Sequence, residues 1–204
     1  MIAQALVVGA GPVGLTMAIE LARYGVAVRV VDKATQRSDK SKAIVLWSRT
    51  LELLERSGSA GAFLAAGHKV FAANIRSEEK LIAQIDLSDV DSIYRYALML
   101  PQSDTERLLE TRLDELGTVV EREVELLDFR QDEGPVSVTL RHSDGRIETT
   151  KTQWLLGCDG AHSTTRHILD CQFQGDTLPS DWLLADVHGS RLPPPSEMAV
   201  YWHR

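Results

Sequence analysis

Residues 3–32 read AQALVVGAGPVGLTMAIELARYGVAVRVVD, and this stretch decides the fold. The apolar run at 3–8 predicts a buried parallel strand, because a glycine-rich turn follows it directly. Residues 13–24 then predict a helix, and Val26 to Val31 predict a second strand that ends at Asp32. Strand, helix and strand within about 30 residues are typical of a βαβ unit.

Apolar residues recur at helical spacing along the predicted helix, and a glycine follows its last turn. Gly25 is well placed to end the helix, since glycine adopts the left-handed conformation of a helix C-terminus at little cost. The apolar residues at this spacing are Val13, Met17, Leu21 and Tyr24.

The turn between the first strand and the helix has the pattern G-x-G-x-x-G. Gly9 would allow the tight turn, Gly11 would let the backbone approach a pyrophosphate, and Gly14 would let helix and strand pack closely. Pro12, within this turn, is a further candidate for cofactor binding. The helix N-terminus would hold phosphates with its free N–H groups and its positive dipole end. This pattern in this context predicts a dinucleotide site rather than a generic glycine turn.

Asp32 stands 23 positions after Gly9 (32 minus 9), at the end of the second predicted strand. A carboxylate there would accept hydrogen bonds from both ribose hydroxyls of an adenosine and would repel a 2′-phosphate, which disfavours NADP at this site. Lys33, the next residue, is a further candidate for cofactor contact. These motifs are compatible with an NAD dehydrogenase as well as with a flavoprotein.

Helical patterns recur further along the chain. Leu51 and Leu54 would face inward from a helix that Gly58 ends. Ser103 and Glu106 form a potential capping box, in which each side chain bonds the other's backbone N–H. The helices are predicted at 48–57, at 101–117 and near 163–169.

Strand patterns dominate the remainder. The stretch from His68 to Met99 is short and alternating, and it predicts an excursion into a second, sheet-based region. Asp144-Gly145 is a strong hairpin signal. Further strands are predicted at 119–129, 136–142, 147–152, 154–157, 182–188 and 197–203.

Composition excludes several classes of protein. The formal net charge of the 204 residues is −7 and the acidic residues are spread along the chain, whereas a nucleic-acid-binding surface needs a basic stripe. No apolar run approaches the roughly 20 residues of a membrane span, and the N-terminus lacks the basic region of a signal peptide. Cys158 and Cys171 fit neither a zinc pattern nor a disulfide framework, and the six histidines show no metal-binding spacing. We therefore expect a cytoplasmic protein without a metal.

Residues 154–166 read WLLGCDGAHSTTR. This segment resembles the Asp-Gly signature of the class A FAD-dependent aromatic hydroxylases, the para-hydroxybenzoate and phenol hydroxylase type. In that family the segment follows a buried strand, and its Asp helps to hold the FAD pyrophosphate. The resemblance therefore implies that Asp159 and Gly160 bind the cofactor, with Ser163 and Arg166 as neighbours.

Three further candidates depend on the same resemblance. Lys42 stands where the family usually has an arginine that contacts the cofactor phosphates, and lysine keeps the charge but loses the bidentate fork. Gln102 matches a glutamine beside the flavin end of the cofactor. Val124 matches a position whose backbone meets the adenine.

The resemblance covers most of residues 1–175 and implies an α/β fold. This fold is a Rossmann-like FAD-binding domain (GR2-type) at 1–67 and 98–177, with part of a β-sheet substrate domain at 68–97 and 178–204. The implied enzyme is an FAD-dependent monooxygenase that uses NAD(P)H and O₂ to hydroxylate a small aromatic substrate, phenolic or polyketide-like. The flavin would carry the chemistry, so no residue is assigned as a catalytic acid or base. The resemblance leaves a homodimer open.

The chain departs from the family in two respects. The family's later Gly-Asp motif, which binds the ribityl chain, does not occur in it, and the strand predicted at 197–203 has no turn or partner strand after it. We therefore expect this chain to be the N-terminal portion of a longer protein. The alternatives are a halogenase or reductase with the same FAD fold, a truncated fragment that catalyses nothing, and an NAD dehydrogenase, which the Asp-Gly segment disfavours.

Overall fold

The computed structural model describes residues 3–39, 43–78, 80–131, 133–176, 178–181, 183, 185 and 194–202. Its helices occur where the sequence predicts them, with one addition, the third, for which the pattern had given no prediction. The helices are α1 (Pro12–Arg23), α2 (Ser48–Arg56), α3 (Ala60–Ala66), α4 (Gln102–Glu115) and α5 (Thr164–Ile168).

The strands form four sheets within the described residues. One sheet is parallel and has the order β12-β1-β2-β8, and the others are β11-β10-β9, β13-β5-β6 and β3-β7-β4. The strands are β1 (Ala5–Val8), β2 (Val28–Asp32), β3 (Val45–Leu46), β4 (His68–Val70), β5 (Ala72–Ser77), β6 (Lys80–Asp86), β7 (Ala97–Met99), β8 (Val120–Arg122), β9 (Val124–Arg130), β10 (Val136–His142), β11 (Ile147–Thr152), β12 (Trp154–Gly157) and β13 (Glu197–Trp202).

The parallel sheet lies between a helical layer and an antiparallel sheet. All four residues of strand β1 are buried. Because successive side chains point to opposite faces of the sheet, both faces are covered at this strand. Val7 packs with Leu15, Ile19 and the α4 residue Leu109. Its neighbours Leu6 and Val8 pack on the other face against the β9-β10-β11 sheet. The α/β class with a Rossmann-like parallel sheet is therefore confirmed.

The buried face of α1 differs from the predicted stripe. Val13 and Tyr24 are each 68% exposed, whereas the buried positions lie one or two residues after the predicted ones. Helix α1 packs against both the sheet and α4, and this contact determines which face is buried. The buried residues of the helix are Gly14, Leu15, Ala18 and Ile19. Gly25 follows the helix with φ +78°, which confirms the predicted stop.

The single strand predicted at 119–129 is two strands. Glu123 separates β8 from β9 with φ 58°, a left-handed conformation, and its N–H donates to the Ala34 carbonyl at 3.2 Å. Strand β8 pairs with β2 in the parallel sheet, while β9 pairs with β10 in the antiparallel one. This break lets one segment join two layers. The predicted Asp-Gly hairpin between β10 and β11 is confirmed, with Gly145 at φ +84°.

The predicted capping box at α4 is wrong. Helix α4 begins at Gln102 with Pro101 at the N-cap position, and no side chain caps it. Glu106 is buried, and its carboxylate accepts a hydrogen bond from the Gln102 side-chain amide at 2.9 Å. Burial of the first turn thus pairs Glu106 with a side chain four residues earlier instead of with the backbone of Ser103.

The stretch from His68 to Met99 contains the strands predicted for it, distributed over two sheets. Strands β4 and β7 pair with each other, and β7 also pairs with β3. Strands β5 and β6 form a separate sheet, to which β13 adds in parallel. Strand β13 confirms the strand predicted at 197–203, whereas most of the one predicted at 182–188 lies outside the described residues. The division into a cofactor domain and a substrate sheet stays a prediction.

None of the described helices is both long enough and apolar enough to cross a lipid bilayer.

Arg29 on β2 joins the parallel sheet to the antiparallel one. Its guanidinium donates to both oxygens of Glu121 on β8, at 2.7 and 2.8 Å, and to both oxygens of Glu148 on β11, at 2.6 and 3.0 Å. A ring nitrogen of His142 lies 2.7 Å from Glu148 Oε2. The hydrogen bonds from Arg29, opposed by burial and reinforced by His142, lower the pKa of Glu148 from 4.5 to about 2.

Replacing Arg29 by methionine should lower the free energy of unfolding at pH 7 by about 1–3 kcal/mol, because two carboxylates lose their partner. A carboxylate with a depressed pKa contributes stability that is present above its unfolded pKa and lost as the pH falls towards its folded pKa. The difference between wild type and Arg29→Met should therefore shrink between pH 4.5 and about 2. Urea unfolding at pH 7 and at acid pH measures it. Arg130→Met, which removes an exposed arginine, is the control and should change stability little. A difference that does not vary with pH would contradict the assignment.

Candidate nucleotide-binding site

The carboxyl ends of the parallel strands meet at one edge of the sheet, where ligands bind in open α/β folds. Strand β1 leads into Gly9, β2 ends at Asp32, and β12 leads into Asp159. A small pocket of about 70 Å³ opens at this edge. Its lining residues are Val8, Gly9, Asp32, Lys33, Val124, Glu125, Leu126, Asp159 and Thr164. The structure thus brings together five of the predicted site residues, from four separate segments of the chain.

Two glycines of the turn are required by close packing. Gly9 has φ +100°, and a β-carbon there would run into the Cys158 carbonyl oxygen. A β-carbon on Gly14 would overlap the Gly9 carbonyl oxygen and lie 3.2 Å from the Cys158 β-carbon. The start of α1 therefore sits directly on the turn and on the end of β12, as the motif predicts.

Gly11 has a different environment. A β-carbon on Gly11 would meet nothing within 4 Å, and its φ of −78° is open to any residue. It is the N-cap residue of α1, no side chain caps this end, and Pro12 follows at the first helical position. The N-terminus of α1 thus has no side-chain cap, and the positive end of the helix dipole there suits an anion.

Asp32 holds the glycine turn from the neighbouring strand. Its Oδ2 accepts a hydrogen bond from the Ala10 N–H at 2.6 Å, and its Oδ1 accepts one from the Ala34 N–H at 2.7 Å. A carboxylate has about four lone-pair sites, so each oxygen can accept a further hydroxyl donor. Asp32 can therefore fix the turn and still bind a ribose.

Asp159 is bonded within its own loop. Its Oδ1 accepts from the Ser163 hydroxyl at 2.6 Å, and its Oδ2 accepts from the Thr165 N–H at 3.0 Å and the Thr165 hydroxyl at 3.2 Å. Burial alone would raise the pKa of Asp159, but the hydrogen bonds from Ser163 and Thr165 outweigh it, and the net pKa lies below its usual value. The carboxylate therefore stays charged and shapes the loop, in which Gly160 has φ +78°.

The remaining predicted residues differ in whether they line this pocket. Lys33 and Val124 line the pocket, whereas Gln102 is not among its lining residues and lies at the start of α4. Lys42 lies outside the described residues. Within the described part of the chain, no three His, Cys, Asp or Glu side chains are grouped so that they could hold a metal ion.

Sequence reasoning missed two groups of residues at this edge. Thr165 fills the space beside Gly157, where a β-carbon would collide with its side chain, and it also bonds Asp159. Arg122 lies opposite Asp32 in the sheet and bonds Glu110 of α4. Thr165 lies within the Asp-Gly segment at 154–166 but had no role assigned to it, whereas only the pairing of β2 with β8 brings Arg122 opposite Asp32.

Residues 3–203 match the sequence profile of the family described as FAD binding domain. The chain belongs to this family. It is 40% identical over 186 residues to 6-methylpretetramide 4-monooxygenase of Streptomyces rimosus, an alignment that covers 90% of this chain and 33% of that protein. It is 31% identical over 183 residues to pentachlorophenol 4-monooxygenase of Sphingobium chlorophenolicum, covering 85% of this chain and 33% of the relative.

Solved structures agree with the sequence relatives. The p-nitrophenol 4-monooxygenase of Pseudomonas putida superposes with a TM-score of 0.83 at 26% identity, covering 87% of this chain and 46% of that one. The anhydrotetracycline hydroxylase of Streptomyces rimosus superposes with a TM-score of 0.78 at 34% identity, covering 87% and 35%. The resemblance to the FAD-dependent aromatic hydroxylases is therefore confirmed. This chain spans between 33% and 46% of the length of these four proteins.

Alanine substitutions at Gly11 and Gly14 should separate ligand binding from folding. Gly14→Ala overpacks the turn against a backbone oxygen, and such overpacking costs about 1–3 kcal/mol, or roughly 2–12 °C in the unfolding temperature. Gly11→Ala, at an N-cap position, should lower the unfolding temperature less than Gly14→Ala but weaken FAD binding about tenfold, because its methyl group occupies space that we assign to the pyrophosphate. Thermal unfolding and FAD titration measure the two effects, and equal destabilisation by both substitutions would contradict this division.

Ser163→Ala should destabilise the protein by about 0.5–2 kcal/mol, because the side chain is a helix N-cap. The Ser163 hydroxyl accepts from the Arg166 N–H at 2.9 Å and also donates to Asp159. Loss of the second bond frees the Asp159 loop, so FAD affinity should fall as well. Ser163→Thr, which keeps the hydroxyl, is the matched control and should preserve both properties. Wild-type affinity in Ser163→Ala would show that the loop does not depend on this bond.

Proposed function

We propose that this chain is the FAD-binding part of a monooxygenase that uses NAD(P)H and O₂ to hydroxylate an aromatic substrate. The observation that carries the proposal is the pocket at the carboxyl edge of the parallel sheet, where an uncapped helix N-terminus meets Asp32 and the Asp159 loop. Membership of the FAD-binding family and the monooxygenase names of the relatives support it.

The chain's residues fit FAD as a bound dinucleotide. The open space at Gly11 and the amides of the first turn of α1 would take the pyrophosphate, with Gly9 and Gly14 providing the close packing beneath it. Asp32 would accept the ribose hydroxyls, and the backbone at Val124, in the wall of the pocket, would meet the adenine. Gln102 would lie towards the flavin.

In this proposal Asp159 does not contact the phosphates but acts on them through its loop. Both of its oxygens accept hydrogen bonds from Ser163 and Thr165, and a carboxylate beside a pyrophosphate would repel it. We infer that Asp159 holds the loop so that backbone N–H groups near Gly160 face the phosphates. Lys33 and Lys42 would supply the positive charge that a protein of net charge −7 needs at this place.

Bound FAD would supply the oxidation chemistry, and the chain would supply binding, orientation and exclusion of water. For this reason we assign no catalytic acid or base to these residues. The reductant is proposed to bind elsewhere, because FAD would occupy the site described above and Asp32 there also disfavours the 2′-phosphate of NADPH.

The substrate proposed is a phenolic or polyketide-like aromatic compound. Relatives are named for 6-methylpretetramide and pentachlorophenol, and both names denote monooxygenases. The sheet β13-β5-β6 exposes large apolar side chains that suit the wall of an aromatic site, and we assign it to the substrate domain. These side chains are Leu81, Ile82, Ile85, Val200, Tyr201 and Trp202.

A second candidate is a fragment that binds the nucleotide and catalyses nothing. The observation in its favour is that the chain spans only 33% of the two named curated relatives. The two candidates share the FAD site and differ in turnover. For the enzyme we further propose a cytoplasmic location and leave a homodimer open.

The purified chain should bind FAD at least about 100-fold more tightly than NAD⁺, as the quenching of flavin fluorescence and competition by NAD⁺ would show. Asp32→Asn should weaken FAD binding roughly 10- to 100-fold, since hydrogen bonds to a charged group contribute about 1.5–3 kcal/mol. Asp128→Asn, at a half-buried position on β9, is the matched control. Equal affinity for FAD and NAD⁺ would contradict the proposal.

Turnover distinguishes the two candidates. A protein that contains this chain and the remainder found in its relatives should oxidise NAD(P)H faster when a phenolic or polyketide substrate is added, and the product should contain one oxygen from O₂. If only nucleotide binding is observed with both the chain and the longer protein, the monooxygenase proposal is contradicted and the nucleotide-binding candidate is favoured.

A further inference from the structure

Strand pairing places an arginine beside the carboxylate at the centre of the proposed site. Strands β2 and β8 run parallel, and Arg122 is the register partner of Asp32. Both are the last residues of their strands, and their side chains are only 18% and 17% exposed. Arg122 Nη1 lies 3.9 Å from Asp32 Oδ2, which is an ion pair but too long for a direct hydrogen bond.

The position of the guanidinium is set from the other side. Arg122 Nη2 donates to Glu110 Oε1 of α4 at 2.9 Å, and Arg37, from the segment after β2, lies with its Nε 2.9 Å from Glu110 Oε2. The four side chains form a chain of alternating charge from Arg37 through Glu110 and Arg122 to Asp32. Helix α4 therefore determines where the positive charge stands relative to Asp32.

We propose that Arg122 is a positioning residue for the adenosine ribose, acting through Asp32. The inference depends on the proposed FAD site, in which Asp32 accepts the ribose hydroxyls. Ala10 and Ala34 each donate one hydrogen bond to the Asp32 carboxylate, and the cation of Arg122 attracts it from the β8 side. This arrangement holds the carboxylate plane in one orientation and leaves the remaining lone pairs directed to the ligand.

An arginine at this edge of a dinucleotide site can also serve a 2′-phosphate. Here the guanidinium is committed to two carboxylates, Glu110 by a hydrogen bond and Asp32 by an ion pair, so its charge is already neutralised. A second phosphate would have to displace Asp32 from Arg122 and would lie close to the carboxylate. The geometry therefore favours a ribose diol over a ribose phosphate.

The test compares ligands with and without the ribose hydroxyls. ADP and 2′,3′-dideoxy-ADP are titrated into wild type and Arg122→Met by calorimetry. Wild type should prefer ADP about tenfold or more, since the hydroxyls bond a charged acceptor. Arg122→Met should lose about tenfold in affinity for ADP and less than twofold for the dideoxy ligand. A purely structural role would weaken both ligands equally, and that result would overturn the proposal.

Further variants keep the result interpretable. Arg122→Lys should recover part of the preference for ADP, and Arg107→Met, which removes a more exposed arginine of α4 that pairs with Asp104, should change nothing. If Arg122→Met does not fold, Glu110→Leu tests the same point, because it removes the acceptor that holds Arg122 on α4 and should reduce the preference for ADP selectively.

Two outcomes separate this inference from the proposed function. If wild type binds neither ADP nor FAD, the nucleotide site itself is wrong and the inference falls with it. If wild type prefers ADP but Arg122→Met keeps that preference, only the role of Arg122 is wrong. Tighter binding of adenosine 2′,5′-bisphosphate than of ADP, lost in Arg122→Met, would show that the arginine binds phosphate and would also overturn the proposal.

Discussion

The absence of room for a β-carbon at Gly9 and Gly14 is the constraint on which the rest of the structure depends. The turn after β1, the start of α1 and the backbone of Cys158 after β12 occupy one small volume. This close contact places the start of the helix at the carboxyl edge of the sheet, where no side chain caps it. The direction of α1 then determines which of its faces meets α4, and therefore how the helical layer covers the sheet.

The acidic side chains at this edge act first on the protein's own backbone. Asp32 fixes the glycine turn through Ala10, and Asp159 fixes its loop through Ser163 and Thr165. Each carboxylate is held before any ligand arrives, so less conformational entropy is lost on binding. In the proposed site of this chain of net charge −7, backbone amides and the helix dipole would add to the charge of the lysines.

Local patterns predicted elements well and their environments less well. The helices at 48–57 and 101–117 and the Asp-Gly hairpin follow from apolar spacing, glycine stops and turn chemistry, which are local properties. The buried face of α1 was misassigned because apolar spacing does not reveal that a helix is pressed between a sheet and another helix. The break at Glu123 was missed because a glutamate with φ 58° has no sequence signal, and its reason is that one segment serves two sheets.

The sequence by itself determined the dinucleotide turn, Asp32 at the end of β2, and the Asp-Gly loop after β12. Each of these is a local pattern in which particular residue types suit a particular backbone conformation. Tertiary structure alone decided which distant residues share that edge. The pairing of β8 with β2 brings Arg122 opposite Asp32, and α4 brings Glu110 to Arg122. Strand order and helix packing depend on the free energy of the whole fold, and no single segment of the sequence specifies them.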